Sequence, residues 1–309
     1  MVLTKTVAKG ASRVAVIGLG SMGYGMAQSL KRGGFDVAGF DVAEDAVARF
    51  VGEGGRGASS PAEAATDADI VVSVVVNAAQ TDAILFGVGG AAETIPQGAV
   101  FISSATMDPA IARRLGGKLE ATGRFYLDAP MSGGAARAAK GELSIMASGS
   151  PAAFAKARPA LDAMAIKVYE LGDAPGIGAA FKMINQLLAG VHIAAACEAI
   201  TFAAKQGLDL AKVYEVITGS AGNSWMFENR VPHVLAGDYT PLSAIEIFVK
   251  DLGIVQDMAR TERYPVPLAA TALQMYLAAA GAGMGRDDDS SLARLYAQLS
   301  GAKLPGQPD

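Results

Sequence analysis

Cysteine is almost absent from the 309 residues: Cys197 is the one example. It cannot close a disulfide within the chain, so nothing points to an oxidising compartment, and it reads as a small buried apolar residue. Histidine is nearly as scarce, with two copies, and no His/Cys cluster exists to hold a metal. The acidic run Asp287-Asp288-Asp289 reads as a solvated helix start rather than a calcium loop. Charge is also sparse. Charged residues make up 18% of the chain, and 26 Lys and Arg against 30 Asp and Glu leave a net charge of −4, which removes the electrostatic case for nucleic acid or an anionic membrane as partner. Long hydrophobic runs are missing too. The most apolar helical stretch, Leu187 to Cys197, contains His192, ends at Glu198 and falls short of the ~20 residues a membrane span needs. Residues 1–12 carry Lys5 and Lys9, and only Val14 to Ile17 follow before glycines intervene, too short a core for a signal peptide. This stretch is read as a tail on a cytoplasmic protein.

What is present is 51% hydrophobic residues and 37 glycines with no triplet period, which excludes disorder and collagen. The length suits about two domains. As far as residue 173 the chain alternates β-branched runs with helical patterns, the mark of βα units and a parallel sheet. Strands are expected at Val14–Gly18, Asp36–Asp41, Ile70–Val76, Ala99–Ser103, Arg124–Ala129, Leu143–Ser148 and Lys167–Leu171. Ser60-Pro61-Ala62-Glu63, Asp108-Pro109 and Ser150-Pro151 read as helix starts, each a cap followed by proline. After the loop at residues 172–178 the β-branched runs vanish. A long helix is expected from Ala179 to about Gln206 with Gly207 at its end, then helices near 209–218, 224–236, 247–262, 268–280 and 290–300. The division is thus a tail at 1–12, an α/β domain at 13–173 and an all-helical domain at 174–309.

Gly18-Leu19-Gly20-Ser21-Met22-Gly23 is a G-x-G-x-x-G turn between an apolar strand and a helical pattern. Gly18 permits the tight turn, Gly20 lets backbone approach a pyrophosphate, and Gly23 allows close helix packing, with the helix-start amides facing the anion. Asp41 closes the second strand eighteen positions after Gly23, about where an acid meets the ribose hydroxyls of a dinucleotide. Its charge would repel a 2′-phosphate, and Val42 and Ala43 supply no arginine to receive one, so NAD is expected rather than NADP. The first domain is accordingly expected to be Rossmann-type.

Three further segments carry chemistry. Asp128-Ala129-Pro130-Met131-Ser132-Gly133-Gly134 ends a strand in a hydroxyl and two glycines, where amides can hold a carboxylate or simply make a turn. Lys182, Asn185, Gln186 and His192 recur at helical intervals on one face, and three polar groups opening an apolar helix are costly to bury unless they meet a polar ligand. An exposed first turn is the plainer alternative, and His192 reads as a core or interface residue. Asn223 to Glu228 and Phe248-Val249-Lys250-Asp251 read, by composition, as core aromatics and a surface ion pair.

Taken in order, G-L-G-x-M-G at 18–23, D-A-P-x-S-G-G at 128–134, G-x-G-x-x-x-K-x-x-N at 176–185 and K-D at 250–251 resemble the β-hydroxyacid dehydrogenases, the family of 3-hydroxyisobutyrate dehydrogenase. The resemblance covers the chain from Arg13 to about Tyr296. It implies that Lys182 is the catalytic lysine and that Ser132, Gly133 and Gly134 bind the substrate carboxylate. Thr106 would lie beside the nicotinamide, although Ala105 stands where the family has serine. Val75 and Val76 would touch the cofactor through backbone, Lys250 would close over it, and Trp225 and Phe227 would wall the substrate pocket. Gln186 departs from the family's second asparagine and should alter which substrate hydroxyl is grasped. Together with Val76 to Gln80 and Gly222 to Asn229 it looks most like the L-threonate dehydrogenase branch. The resemblance further implies a homodimer or homotetramer. The competing expectations are a 3-hydroxyisobutyrate dehydrogenase, a tartronate semialdehyde or glyoxylate-type reductase, and a non-catalytic nucleotide sensor. The sensor would have no use for Lys182, Ser132 and Gln186 together, and imine reductases of similar architecture generally replace the lysine.

Overall fold

The computed structural model describes residues 12–306. All but Ser12 of the expected N-terminal tail therefore lies outside the described residues. The chain divides into two compact units at Lys182/Met183. That point falls inside a single helix, Ile177–Lys205, rather than in the loop before it, because the first turn of the helix is bonded to strand ends of the first unit, as detailed below.

In the first unit, β1 (Arg13–Ile17), β2 (Asp36–Phe40), β3 (Arg56–Gly57), β4 (Ile70–Ser73), β5 (Val100–Ser103) and β6 (Phe125–Asp128) form a six-stranded sheet in the order β3-β2-β1-β4-β5-β6. Every pairing in it is parallel. Successive residues point to opposite faces of a strand, and both faces here are apolar. Val14, Val16, Val72, Val100 and Ile102 enter one core, while Ala15, Ile17, Val71 and Phe101 enter another, which is why these strands read as unbroken hydrophobic runs.

The later strands do not join this sheet. β7 (Met131–Ser132), β8 (Leu143–Ala147) and β9 (Ala165–Glu170) make a second, three-stranded sheet. Only Ala129 and Pro130 separate β6 from β7, far less than the crossover a parallel neighbour requires, and β7 pairs antiparallel with β8. The caps behave largely as expected: Ser60, Asp108 and Ser150 each accept from a helix-start amide. The acid of the expected capping box is displaced by one residue, since Glu63 accepts from the Ser59 amide at 2.7 Å.

The second unit is helical, with helices Leu210–Thr218, Trp225–Ala236, Ile245–Glu262, Pro267–Ala279 and Leu292–Ser300 following the long one. Gly207 is left-handed at φ +73°, as a helix-ending glycine should be. The Ile177–Lys205 helix corrects one expectation: at 29 residues it is long and apolar enough, by length and composition alone, to cross a membrane, and half of that stretch is buried within the protein. Glu198 does not end the apolar stretch, because the helix continues through Ile200, Phe202 and Ala203. Its inner residues Met183, Ile193, Cys197 and Ile200 belong to the core of the second unit. Cys197 is buried there, with its Sγ 3.6 Å from the Ser290 carbonyl.

The acidic run is solvated only at Asp287, which pairs with Arg294. Asp288 and Asp289 are fully buried. Asp288 caps a short turn through the Ser290 amide and accepts from the Leu242 amide at 2.8 Å. Asp289 meets the Arg230 guanidinium twice, at 2.5 and 3.1 Å.

Candidate active site

At the carboxyl end of β1 the strand order reverses, with β2 on one side and β4 on the other, which is where open α/β sheets bind ligands. Gly18 is left-handed at φ +98°, and a side chain there would lie 2.7 Å from the Val74 carbonyl oxygen. At Gly23 a Cβ would come within 1.8 Å of the Gly18 carbonyl oxygen, so the helix start packs where no side chain fits. Above Gly20 the space is open. A cleft of about 490 Å³ adjoins it, lined by Leu19, Gly20, Ser21, Tyr24, Arg49 and Ala135 among others. A glycine with open space above it, an adjoining cleft and a helix start form a cradle into which a dinucleotide pyrophosphate fits.

Asp41 stands immediately after β2, half-buried, and its carboxylate is already committed to backbone. Oδ2 accepts from the Leu19 amide at 2.6 Å and Oδ1 from the Ala43 amide at 2.8 Å. It thus fixes the glycine loop, and each oxygen keeps a further lone pair for a ribose hydroxyl. Val42 beside it is 91% exposed. Val75 is half-buried and Val76 exposed just past β4, where the Val76 amide donates to Gln80 Oε1 at 2.8 Å. Thr106 follows β5 and is half-buried. The first unit therefore gathers Gly18 to Gly23, Asp41, Val75, Val76 and Thr106 along the carboxyl edge of one sheet. Ser132 lies at the same end of β6 through the short β7, followed by left-handed glycines, Gly133 at φ +139° and Gly134 at φ +75°.

Lys182 closes the first unit and is 7% exposed. Asn185 and Gln186 follow three and four residues later on the same helix, so the three share a face. In the second unit Gln186 is buried, and its amide is engaged at both ends: Oε1 accepts from Asn185 Nδ2 at 2.9 Å, and Nε2 donates to Asp251 Oδ2 at 2.6 Å. The Lys250 ammonium lies 2.5 Å from Asp251 Oδ1. Gln186 therefore serves first as a link between Asn185 and Asp251 rather than as an amide held out for a ligand. Asp251, 1% exposed, corrects the reading of Lys250-Asp251 as a surface pair. The signal was available, because Asp251 falls on the apolar face of its helix with Phe248, Leu252 and Val255. Trp225 is 53% exposed, whereas Phe227 lies in the core and stacks on Tyr214 with ring centroids 6.1 Å apart. His192 is exposed.

A family model described as the NAD binding domain of 6-phosphogluconate dehydrogenase matches residues 13–172. A second, described as NAD-binding of NADP-dependent 3-hydroxyisobutyrate dehydrogenase, matches residues 176–296. The chain belongs to the 3-hydroxyisobutyrate dehydrogenase family. As a member it is an NAD-dependent oxidoreductase, and the Asp41 carboxylate beside an arginine-free loop agrees with that cofactor. Among family members, the chain is 52% identical to an L-threonate dehydrogenase of Cupriavidus necator over 296 residues, 96% of this chain and 99% of that protein. It is 47% identical to one of Escherichia coli K12, over 95% of this chain and 96% of that protein. A solved structure named as a 3-hydroxyisobutyrate dehydrogenase from Salmonella typhimurium superposes with a TM-score of 0.87 at 49% identity, covering 92% of this chain and 99% of that one. Within the family's signatures, the sequence reading passed over one residue that the geometry brings forward: Asp128, buried at the end of β6.

Proposed function

We propose that this protein oxidises L-threonate, or a closely similar four-carbon sugar acid, with NAD. The observation that carries the reading is the row Lys182, Asn185 and Gln186 on one helix face: a buried lysine followed by two amides, in a chain about half identical to proteins named L-threonate dehydrogenase. Lys182, neutral in this direction, takes the proton of the substrate hydroxyl, and in reverse it returns that proton to the forming alkoxide. Ser132 with the amides of Gly133 and Gly134 anchors the carboxylate. Asn185 orients the reacting hydroxyl, and Gln186, tied to Asp251, sets the polar wall that distal hydroxyls meet. Gly18 to Gly23, Asp41, Val75, Val76, Thr106 and Lys250 hold the cofactor, and Trp225 and Phe227 belong to the wall of the substrate pocket. NAD, when bound, supplies the hydride acceptor.

The name of the Salmonella structure favours a second reading, oxidation of 3-hydroxyisobutyrate. NAD reduction measured against L-threonate, erythronate, glycerate and 3-hydroxyisobutyrate separates the two. The expected outcome is the highest kcat/KM with L-threonate, and a preference for 3-hydroxyisobutyrate overturns the proposal. We place the enzyme in the cytoplasm as a homodimer or homotetramer. The exposed apolar residues Ile184, Leu188 and Phe202 along the long helix support such an assembly, and light scattering coupled to gel filtration checks it.

A further inference from the structure

Asp128 ends β6, three residues before β7, and has no exposed surface. Its Oδ2 accepts from the Gly176 amide at 2.9 Å and the Ala179 amide at 2.8 Å. Across an antiparallel bridge from Asp128 lies Ser148, whose Oγ accepts from the Gly178 amide at 2.9 Å. The first amides of an α-helix have no partner within the helix. Here three amides at the start of the Ile177–Lys205 helix are met by two side chains at the carboxyl ends of β6 and β8. Contact is close: a Cβ on Gly178 would fall 2.3 Å from the Met146 carbonyl oxygen and 3.0 Å from that of Asp128. The carboxylate also faces the positive end of the helix dipole. Lys182 lies less than one turn beyond Ala179.

This clamp is stiff and costly. Asp128 Oδ1 is buried with no hydrogen-bond partner, an arrangement that packing alone would not favour over an apolar residue. Burial pushes the carboxyl up to about 6, while the amides of Ala179 and Gly176 pull it back. Above that pH it is the carboxylate, the stronger acceptor for both amides.

We propose that Asp128 is the positioning residue for Lys182. It fixes the helix start to the strand end that leads into Ser132, Gly133 and Gly134, so that the general base and the carboxylate-binding turn share one rigid frame. The inference rests on the assignment of Lys182 made above, and a misplacement of about 1 Å in such a frame can cost roughly 10²-fold in turnover.

Asp128→Ala removes both acceptor contacts, Asp128→Asn restores an acceptor oxygen without charge, and Ser148→Ala removes only the Gly178 bond. Each full-length variant is assayed with NAD and L-threonate, and turnover is expressed per NAD-binding site counted by fluorescence titration, so loss of folded protein does not enter. Expected are a kcat lowered roughly 10- to 100-fold in Asp128→Ala with the Kd for NAD within twofold, recovery of most of it in Asp128→Asn, and a smaller fall of about threefold or more in Ser148→Ala. If Asp128→Ala keeps kcat within twofold per NAD site, or loses it without recovery in Asp128→Asn, the inference is overturned. Should Asp128→Ala not fold, an unchanged kcat in Ser148→Ala overturns it equally. Lys182→Ala, assayed alongside, separates the two claims. Normal turnover there removes the lysine assignment and this inference with it, whereas an inactive Lys182→Ala beside a fully active Asp128→Ala removes the inference alone.

Discussion

Two acids of the first unit answer backbone: Asp41 holds the amides of Leu19 and Ala43, and Asp128 those of Gly176 and Ala179. Two of the second answer side chains, Asp251 between Gln186 and Lys250 and Asp289 against Arg230, while Asp288 next to Asp289 accepts from the backbone amides of Leu242 and Ser290. Burial raises the Asp128 and Asp289 carboxyls alike, but only Asp289 has a guanidinium pulling against that rise. Backbone partners are neutral and cannot be left behind as a charge. A side-chain partner can, so the same substitution should have different consequences at Asp128 and at Asp289.

The largest effect is expected where the units meet in sequence. Lys182→Ala should lower turnover by roughly 10² to 10⁴ while NAD binding, read by fluorescence titration, persists. Next is the ionic pair of the second unit. Asp289→Leu leaves the Arg230 guanidinium buried without its carboxylate, with Asn229 Oδ1 as its remaining side-chain acceptor, and should cost about 3–5 kcal/mol in urea unfolding, most of it recovered when Arg230→Met is added. If the single variant loses less than about 1 kcal/mol, the contrast between the units is broken. A smaller effect is expected at Asp41. Asp41→Ala releases two amides of the cofactor loop and should raise the KM for NAD roughly tenfold, the equivalent of ~1.4 kcal/mol. Adding Val42→Arg should shift preference toward NADP, and unchanged preference would make Asp41 a purely structural residue.

The smallest concerns pH. The Asp128 carboxyl titrates near 6 in the folded protein and near its ordinary 3.8 when unfolded, so between those values the native state binds the extra proton. The contribution of this group to stability is therefore present below about pH 4 and lost as pH rises through 6. Melting temperatures of the wild type and Asp128→Asn, compared from pH 4 to 7, should diverge across that window as the wild type loses this contribution. Parallel curves would show that the buried carboxyl is not perturbed.

How far the sequence could be read follows the same division. The glycine turn, the acid after β2 and the Ser132 turn were legible because each is a local backbone requirement, met by a few neighbouring residues. The helices of the second unit were legible within a few residues from apolar spacing and caps such as Ser224, which accepts from the Phe227 amide. The Lys250–Asp251 pair was legible as neighbours, but the far partners of Asp251 and Asp289 were not, since Gln186 and Arg230 lie 65 and 59 positions away and nothing local marks them. The resemblance assigns Phe227 to a pocket wall, and its stacking on Tyr214 emerged only from the packing.

By itself the sequence determined a parallel α/β unit with a dinucleotide turn, a helical unit after it, and the face of one helix on which Lys182, Asn185 and Gln186 fall. These follow from periodicity and from conformations that glycine alone adopts readily. The tertiary structure decided which polar groups are buried and what satisfies them: that Asp128 bolts the Lys182 helix to β6, that Gln186 is committed to Asp251, and that the acids at 288 and 289 are interior. Burying such groups is tolerable only with a partner in place, and where that partner comes from far along the chain, only the folded chain supplies it.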